Sequence, residues 1–205
     1  MTGRVLARKV GRDLRAQRAQ SLALGGVVAL GITTFVALVG AYLDLSGSLD
    51  RTTEALRMPD AWVSLADAPA AVADEAAAVP GVAAAEARLV VDTGLQLDGG
   101  GQARARVVSL PDGRRPVLGD VFVDDGDRAG SGVLLEADFA AARGVRPGDT
   151  ISLLVGGTPV PQRVAALVTS AEYLMPVPSR YELLPSPSTF AVVFMPLGQA
   201  QSLFD

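Results

Sequence analysis

The sequence predicts an α+β protein: one N-terminal transmembrane helix with a helical stalk, followed by a mixed α/β extracytoplasmic domain. Three observations carry this. Residues 21–43 form a run of 23 residues without a charge. Six basic residues precede that run. Beyond Pro59, short apolar stretches alternate with alanine-rich ones and with Gly, Pro and Asp turn signals.

The span SLALGGVVALGITTFVALVGAYL, residues 21–43, would be about 34 Å long as a helix, against a hydrocarbon core of about 30 Å. A buried soluble helix is shorter as a rule. Val39-Gly40-Ala41 has the character of a signal-cleavage site, but a signal h-region of about 7–15 residues is shorter than this run. Residues 1–20 form a basic amphipathic arm. Arg4, Arg8, Lys9, Arg12, Arg15 and Arg18 stand against Asp13 alone, a net of +5, while the rest of the chain carries -9. The positive-inside rule puts this arm in the cytoplasm and residues 44–205 outside. The arm then faces anionic lipid or a cytoplasmic protein, and nucleic acid is not its partner. Leu6, Val10 and Leu14 repeat at i+4 among the charges. That pattern suits an interface-lying helix that orients the protein, or a docking surface for a cytoplasmic partner.

Within the span, Ser21, Gly25, Ala29, Thr33, Ala37 and Ala41 place small residues at successive i+4 positions. Small-xxx-small ridges let helices approach closely. Each i+4 step drifts by about 40°, so the ridge spirals and suits more than one neighbouring helix. The plainer reading is that Gly and Ala are frequent in any span of an alanine-rich chain. After the span, Leu45, Leu49 and Leu56 keep helical spacing, and Pro59 ends the pattern: a stalk over 44–58.

The outer region, 59–205, is expected to begin with a short strand at Trp62-Val63-Ser64-Leu65. A helix over 70–79 is stopped by Pro80-Gly81. Strands follow at 82–91 and 103–110, with turns at Asp92-Thr93-Gly94 and at 98–101. Val133-Leu134-Leu135 reads as a strand, and 136–143 as a helix with Gly144 at its C-cap. Residues 150–155 and 160–169 make a hairpin around Gly156-Gly157. Residues 191–195 form a strand and 197–204 start a helix. The long irregular stretch 172–189 holds Pro176, Pro178, Pro185 and Pro187. Loops of that length are often binding segments, and Tyr173, Arg180 and Tyr181 are its candidate contact residues.

Composition weighs against an enzyme. The chain has no Cys and no His, and Lys9 is its one lysine. That excludes thiolate chemistry, and it removes the usual base for a Ser or Thr nucleophile. Carboxylate pairs remain open. Asp124, Asp125 and Asp127 cluster, but without EF-hand spacing, so a solvated turn is the expectation and no metal or cofactor is assigned. A membrane-anchored carboxylate hydrolase and a single-span anchored binding or adaptor protein are the alternative classes.

Three stretches resemble one family. They are RDLRAQRAQSLALGGVVALGITTFVALVGAYLDLSGSLD with the following MPDAWVSL; VLLEADFAAARGVRPGDTISLLVGGTPVPQRVAALVTS with Gly148-Asp149 at its turn; and SAEYLMPVPSRYELLPSPSTFAVVFMPLGQAQSLF. In order and spacing they resemble the N-terminal part of FtsX/MacB-type ABC-transporter permeases of the bacterial inner membrane, over nearly the whole chain. The resemblance implies a MacB-like extracytoplasmic core domain over 59–205 and a separate cytoplasmic ABC ATPase. It implies coupling of ATP hydrolysis to the outer domain through the stalk, and an extracytoplasmic adaptor as a possible partner. The absence of GxxxxGK[ST] agrees with a nucleotide site on another subunit. Such permeases have further transmembrane helices, expected here from a longer form of the same chain or from a partner chain. The Arg-over-Lys bias and high alanine content point to a GC-rich bacterial genome.

Overall fold

A computed structural model of the chain describes residue 12 and residues 17–66, 68–69, 71–97, 100–173 and 187–204, with Ser21 described by its backbone only. The chain separates into two compact units, Met1–Arg51 and Thr52–Asp205.

In the first unit lies most of α1 (Arg18–Ala55), a single helix of 38 residues. It runs unbroken through the expected span and most of the expected stalk. Its length is about 57 Å at 1.5 Å per residue. Among the described residues it is the one helix long and apolar enough to cross a membrane. Leu22, Leu30, Leu38, Ile32 and Val36 are all exposed, and at about 100° per residue they point around the whole circumference. A helix apolar on every side needs an apolar surround, either lipid or other helices.

The second unit begins with the last turn of α1. The Met58 N–H donates to the Thr53 carbonyl at 2.9 Å and the Arg57 N–H to that of Glu54 at 3.1 Å. These two bonds close the helix with Arg57 in the left-handed region, φ 51°. Glycine is the usual occupant of that position. Pro59 then bars continuation, because the residue before a proline disfavours helical dihedrals.

The rest of this unit is mixed helix and sheet. Its strands are β1 (Val90–Leu97), β2 (Gln102–Leu110), β3 (Val121–Gly126), β4 (Val133–Glu136), β5 (Thr150–Val155), β6 (Thr158–Ser170) and β7 (Phe190–Pro196). The helices are α2 (Val72–Ala77), α3 (Ala137–Arg143) and α4 (Leu197–Phe204), with a 3-10 turn at Ala171–Tyr173. Six strands close into a barrel in the order β6-β4-β7-β2-β1-β5 and back to β6. The 13-residue β6 makes closure possible by changing partners along its length. Its first half pairs with β5, and its second half pairs with β4 and with β3, the seventh strand. Pairs β2–β7 and β4–β6 are parallel, and the others are antiparallel.

The core follows from the period of two along each strand. Leu95, Val107, Leu135, Leu153, Val164 and Val193 come from all six barrel strands and pack in one cluster with Phe139 of α3 and Ala200 of α4. Val108, Val121, Val168, Val192 and Phe194 form a second cluster on the opposite faces. β7 is therefore buried on both sides, which is why Phe190–Met195 reads as an unbroken apolar run.

Helix α3 follows its local signals. The Glu136 carboxylate accepts from the N–H groups of Asp138 and Phe139 at 3.0 and 2.8 Å, and Gly144 closes the helix at φ 71°. The β5–β6 hairpin and α4 lie where the spacing puts them. Other expectations are corrected. Trp62–Leu65 is not a strand: a strand needs a ladder partner, and none of the described strands pairs with it, leaving Trp62, Val63 and Leu65 exposed. Of the expected strand 82–91 only Val90 and Val91 are ladder residues, because Glu86 and Arg88 are drawn into contacts with the loop before β3. The expected turn at Asp92-Thr93-Gly94 is instead the middle of β1. Asp92 pairs with Arg106 across the ladder, and Gly94 leaves room for Leu154. Helix 70–79 is shorter, spanning Val72–Ala77. Asp124 and Asp125, expected in a solvated turn, lie in β3.

Candidate functional site

Among the described residues, polar contacts gather where the end of α1 meets the loop between β2 and β3. Two successive carbonyls left over at the helix end are taken up by that loop. The Asp120 N–H donates to the Leu56 carbonyl and the Gly119 N–H to the Arg57 carbonyl, each at 2.7 Å. Terminal carbonyls of a helix need partners, and backbone donors satisfy them here. The Arg57 guanidinium adds a bond to the Pro116 carbonyl at 3.3 Å, and Leu56 is buried.

The loop is held from its other side by charge. Glu86 accepts from the Val117 and Leu118 N–H groups at 3.0 and 3.1 Å and lies 2.8 Å from Arg114. Arg88 donates to the Gly119 carbonyl at 3.0 Å, to the Leu118 carbonyl, and to Glu172 at 2.9 Å. The Arg88 and Glu172 side chains are 13% and 8% exposed, so this ion pair is largely desolvated. Gly119, at φ 58°, sits against it: a Cβ there would overlap the Glu172 carboxylate and the Arg88 guanidinium. Asp120 is buried, accepts from its own neighbour Val121, and pairs with Arg128 at 2.5 Å.

Glu172 belongs to the 3-10 turn Ala171–Tyr173. Tyr173 packs edge-on against Phe194, with ring centroids 6.1 Å apart. Burial raises the Tyr173 hydroxyl above its usual range, aided by the charge of Glu172 and opposed by Arg106. Arg106 forks onto Asp92 at 2.7 and 2.8 Å and lies 5.6 Å from the Phe190 ring. The hydrogen bond from Arg106 holds the Asp92 carboxyl below the ordinary range.

The residues singled out from sequence fare unevenly. Gly25, Ala29, Thr33, Ala37 and Ala41 lie exposed on α1, and a Cβ at Gly25 would meet nothing within 4 Å. Ser21 is in the same helix. Arg12 is exposed and Arg18 opens α1. Arg4, Arg8, Lys9 and Arg15 lie outside the described residues, as do Arg180 and Tyr181. Of the loop candidates, Tyr173 alone is described, and it is packed on the barrel.

Among the described residues no group of three or more His, Cys, Asp and Glu side chains could hold a metal ion. Asp124 accepts from the Thr169 hydroxyl, while Asp125 and Asp127 accept from the nearby N–H groups of Gly126 and Ala129. A depression lined by Leu97, Arg143, Gly144 and Asp149 contains one guanidinium, already bonded to the carbonyls of Ser188 and Gln102.

Sequence reasoning missed Glu86, Arg88, Gly119 and Asp120. Arg88 and Glu172 are 84 residues apart, so no local spacing links them. Gly119-Asp120 looks like any Gly-Asp turn. No protein-family model matches the chain, and no curated sequence matches it.

Proposed function

We propose that the protein is the permease component of an FtsX/MacB-type ABC transporter, contributing a first membrane-spanning helix and an extracytoplasmic domain. In this reading the basic arm lies in the cytoplasm and residues 44–205 lie outside. A cytoplasmic ATPase supplies the energy, and further transmembrane helices pack on α1. The protein transmits force and catalyses nothing itself. The outer domain passes that force on to substrate or to an extracytoplasmic adaptor.

The observation that carries the reading is the bonded end of α1. The helix runs unbroken to Ala55, and the Leu56 and Arg57 carbonyls of the turn that closes it are fastened to Asp120 and Gly119. A flexible tether would need no such fastening. A helix fastened at its end can deliver a push or a rotation.

The absence of cysteine makes the orientation easy to test. Single substitutions Gln17→Cys and Thr158→Cys are probed with a membrane-impermeant maleimide on intact cells. T158C should label before lysis and Q17C only after it; the reverse order overturns the reading. The chain is then purified from its native membrane. An ATPase with a GxxxxGK[ST] motif, hydrolysing ATP only with the chain present, is the expected companion.

A further inference from the structure

We propose that Arg57 is a two-position switch at the end of α1, and that Gly119 relays its position to the buried Arg88–Glu172 pair. The proposal deepens the permease reading, for which it supplies a moving part, but its own test does not depend on an ATPase.

The switch follows from where Arg57 sits. An L-residue is penalised in the left-handed region, and glycine is not. Arg57 occupies that region at φ 51°, held by the bonds that Gly119 makes to its own carbonyl and Asp120 to that of Leu56. If Arg57 takes helical dihedrals, α1 extends beyond Ala55, the Arg57 carbonyl turns along its axis and the chain that follows is redirected, so both donors are drawn away. Helical dihedrals are disfavoured for Met58, because it precedes Pro59. The helix end therefore has two favoured positions, latched and extended to Arg57.

The relay follows from Gly119. Its N–H holds the Arg57 carbonyl at 2.7 Å and its carbonyl takes Arg88 at 3.0 Å. Arg88 in turn holds Glu172 at 2.9 Å, within the turn Ala171–Tyr173. No side chain fits between these groups, since a Cβ on Gly119 would overlap both members of the pair. Release of Arg57 thus removes one of the contacts that fix the loop under Arg88, and Glu172 is the next residue in line.

Site-resolved amide hydrogen exchange on the full chain in lipid nanodiscs tests this. Arg57→Gly removes the penalty of the latched position. It should slow exchange at Gly119 and Asp120 by about five- to thirtyfold, and slow Glu172 in the same variant. Arg57→Ala keeps the penalty and loses the guanidinium contact to Pro116, so it should not slow exchange. In R57G/R88M the slowing at Gly119 should persist and that at Glu172 should vanish. Unchanged rates in R57G, or equal slowing in R57G and R57A, overturn the switch. Slowing at Gly119 and Asp120 without Glu172 overturns the relay. A preparation lacking any ATPase would sink the permease reading and leave these exchange results standing.

Discussion

The backbone N–H of Gly119 is bonded to the carbonyl oxygen of Arg57 at 2.7 Å, joining the end of the long N-terminal helix to the loop that leads into β3. The bond depends on glycine twice over. Gly119 adopts φ 58°, and its missing side chain leaves space for the Arg88–Glu172 pair.

Gly119→Ala should therefore destabilise the second unit by about 2 kcal/mol or more, from left-handed strain together with steric overlap. In a thermal melt of the full chain in detergent this lowers Tm by roughly 4–8 °C. A melt unchanged from the wild type would show that the loop yields freely and that the contact is not tight.

The Arg88–Glu172 pair should behave as a desolvated pair. Removing one partner strands the other charge, so Arg88→Met should cost about 3–5 kcal/mol. Arg88→Met combined with Glu172→Leu should cost less than the sum of the two single changes, by about 1–3 kcal/mol. Denaturant melts of the four proteins close the cycle. Strict additivity would mean that the pair is solvated in solution.

Glu136 gives a pH signature. Burial raises its carboxyl above the ordinary range, and the Phe139 and Asp138 N–H groups only partly offset this. The unfolded carboxyl ionises first as pH rises, from about 4.3. Between that value and the raised folded one, the native state binds more protons, so this group's contribution to stability is lost as pH rises. Glu136→Gln cannot ionise. Its melting temperature relative to the wild type should climb as pH is raised from 4 towards 7. A difference independent of pH would contradict the assignment.

The sequence made some elements plain and hid others, for physical reasons. Where the signal is local, the element lies where it was expected. Gly144 caps α3, Gly156-Gly157 turn the β5–β6 hairpin, and 197–204 form α4. Where a distant partner decides, local reading failed. Asp92, Thr93 and Gly94 are turn formers by type, yet they lie within β1 because Arg106 and Leu154 meet them there. Trp62–Leu65 has strand composition, but no described strand pairs with it. The pairing of β5 with β1, which closes the barrel, has no local signal either, since it depends on β6 exchanging one neighbour for two others along its length. Of the candidate site, sequence supplied the stalk that ends near Arg57 and the start of the loop at Glu172. The groups that join them, Arg88 and Gly119, meet only in three dimensions.

In the permease proposed here, ATP hydrolysis in the cytoplasm would reach the outer domain through the end of α1. The most direct measurement is amide exchange at Gly119 and Asp120 in the complex purified from native membranes, with ATP, with ADP, and with an ATPase that binds but cannot hydrolyse nucleotide. Rates at these two amides should differ between the ATP-bound and ADP-bound states. Identical rates in every nucleotide state, in a complex that is hydrolysing ATP, would contradict it.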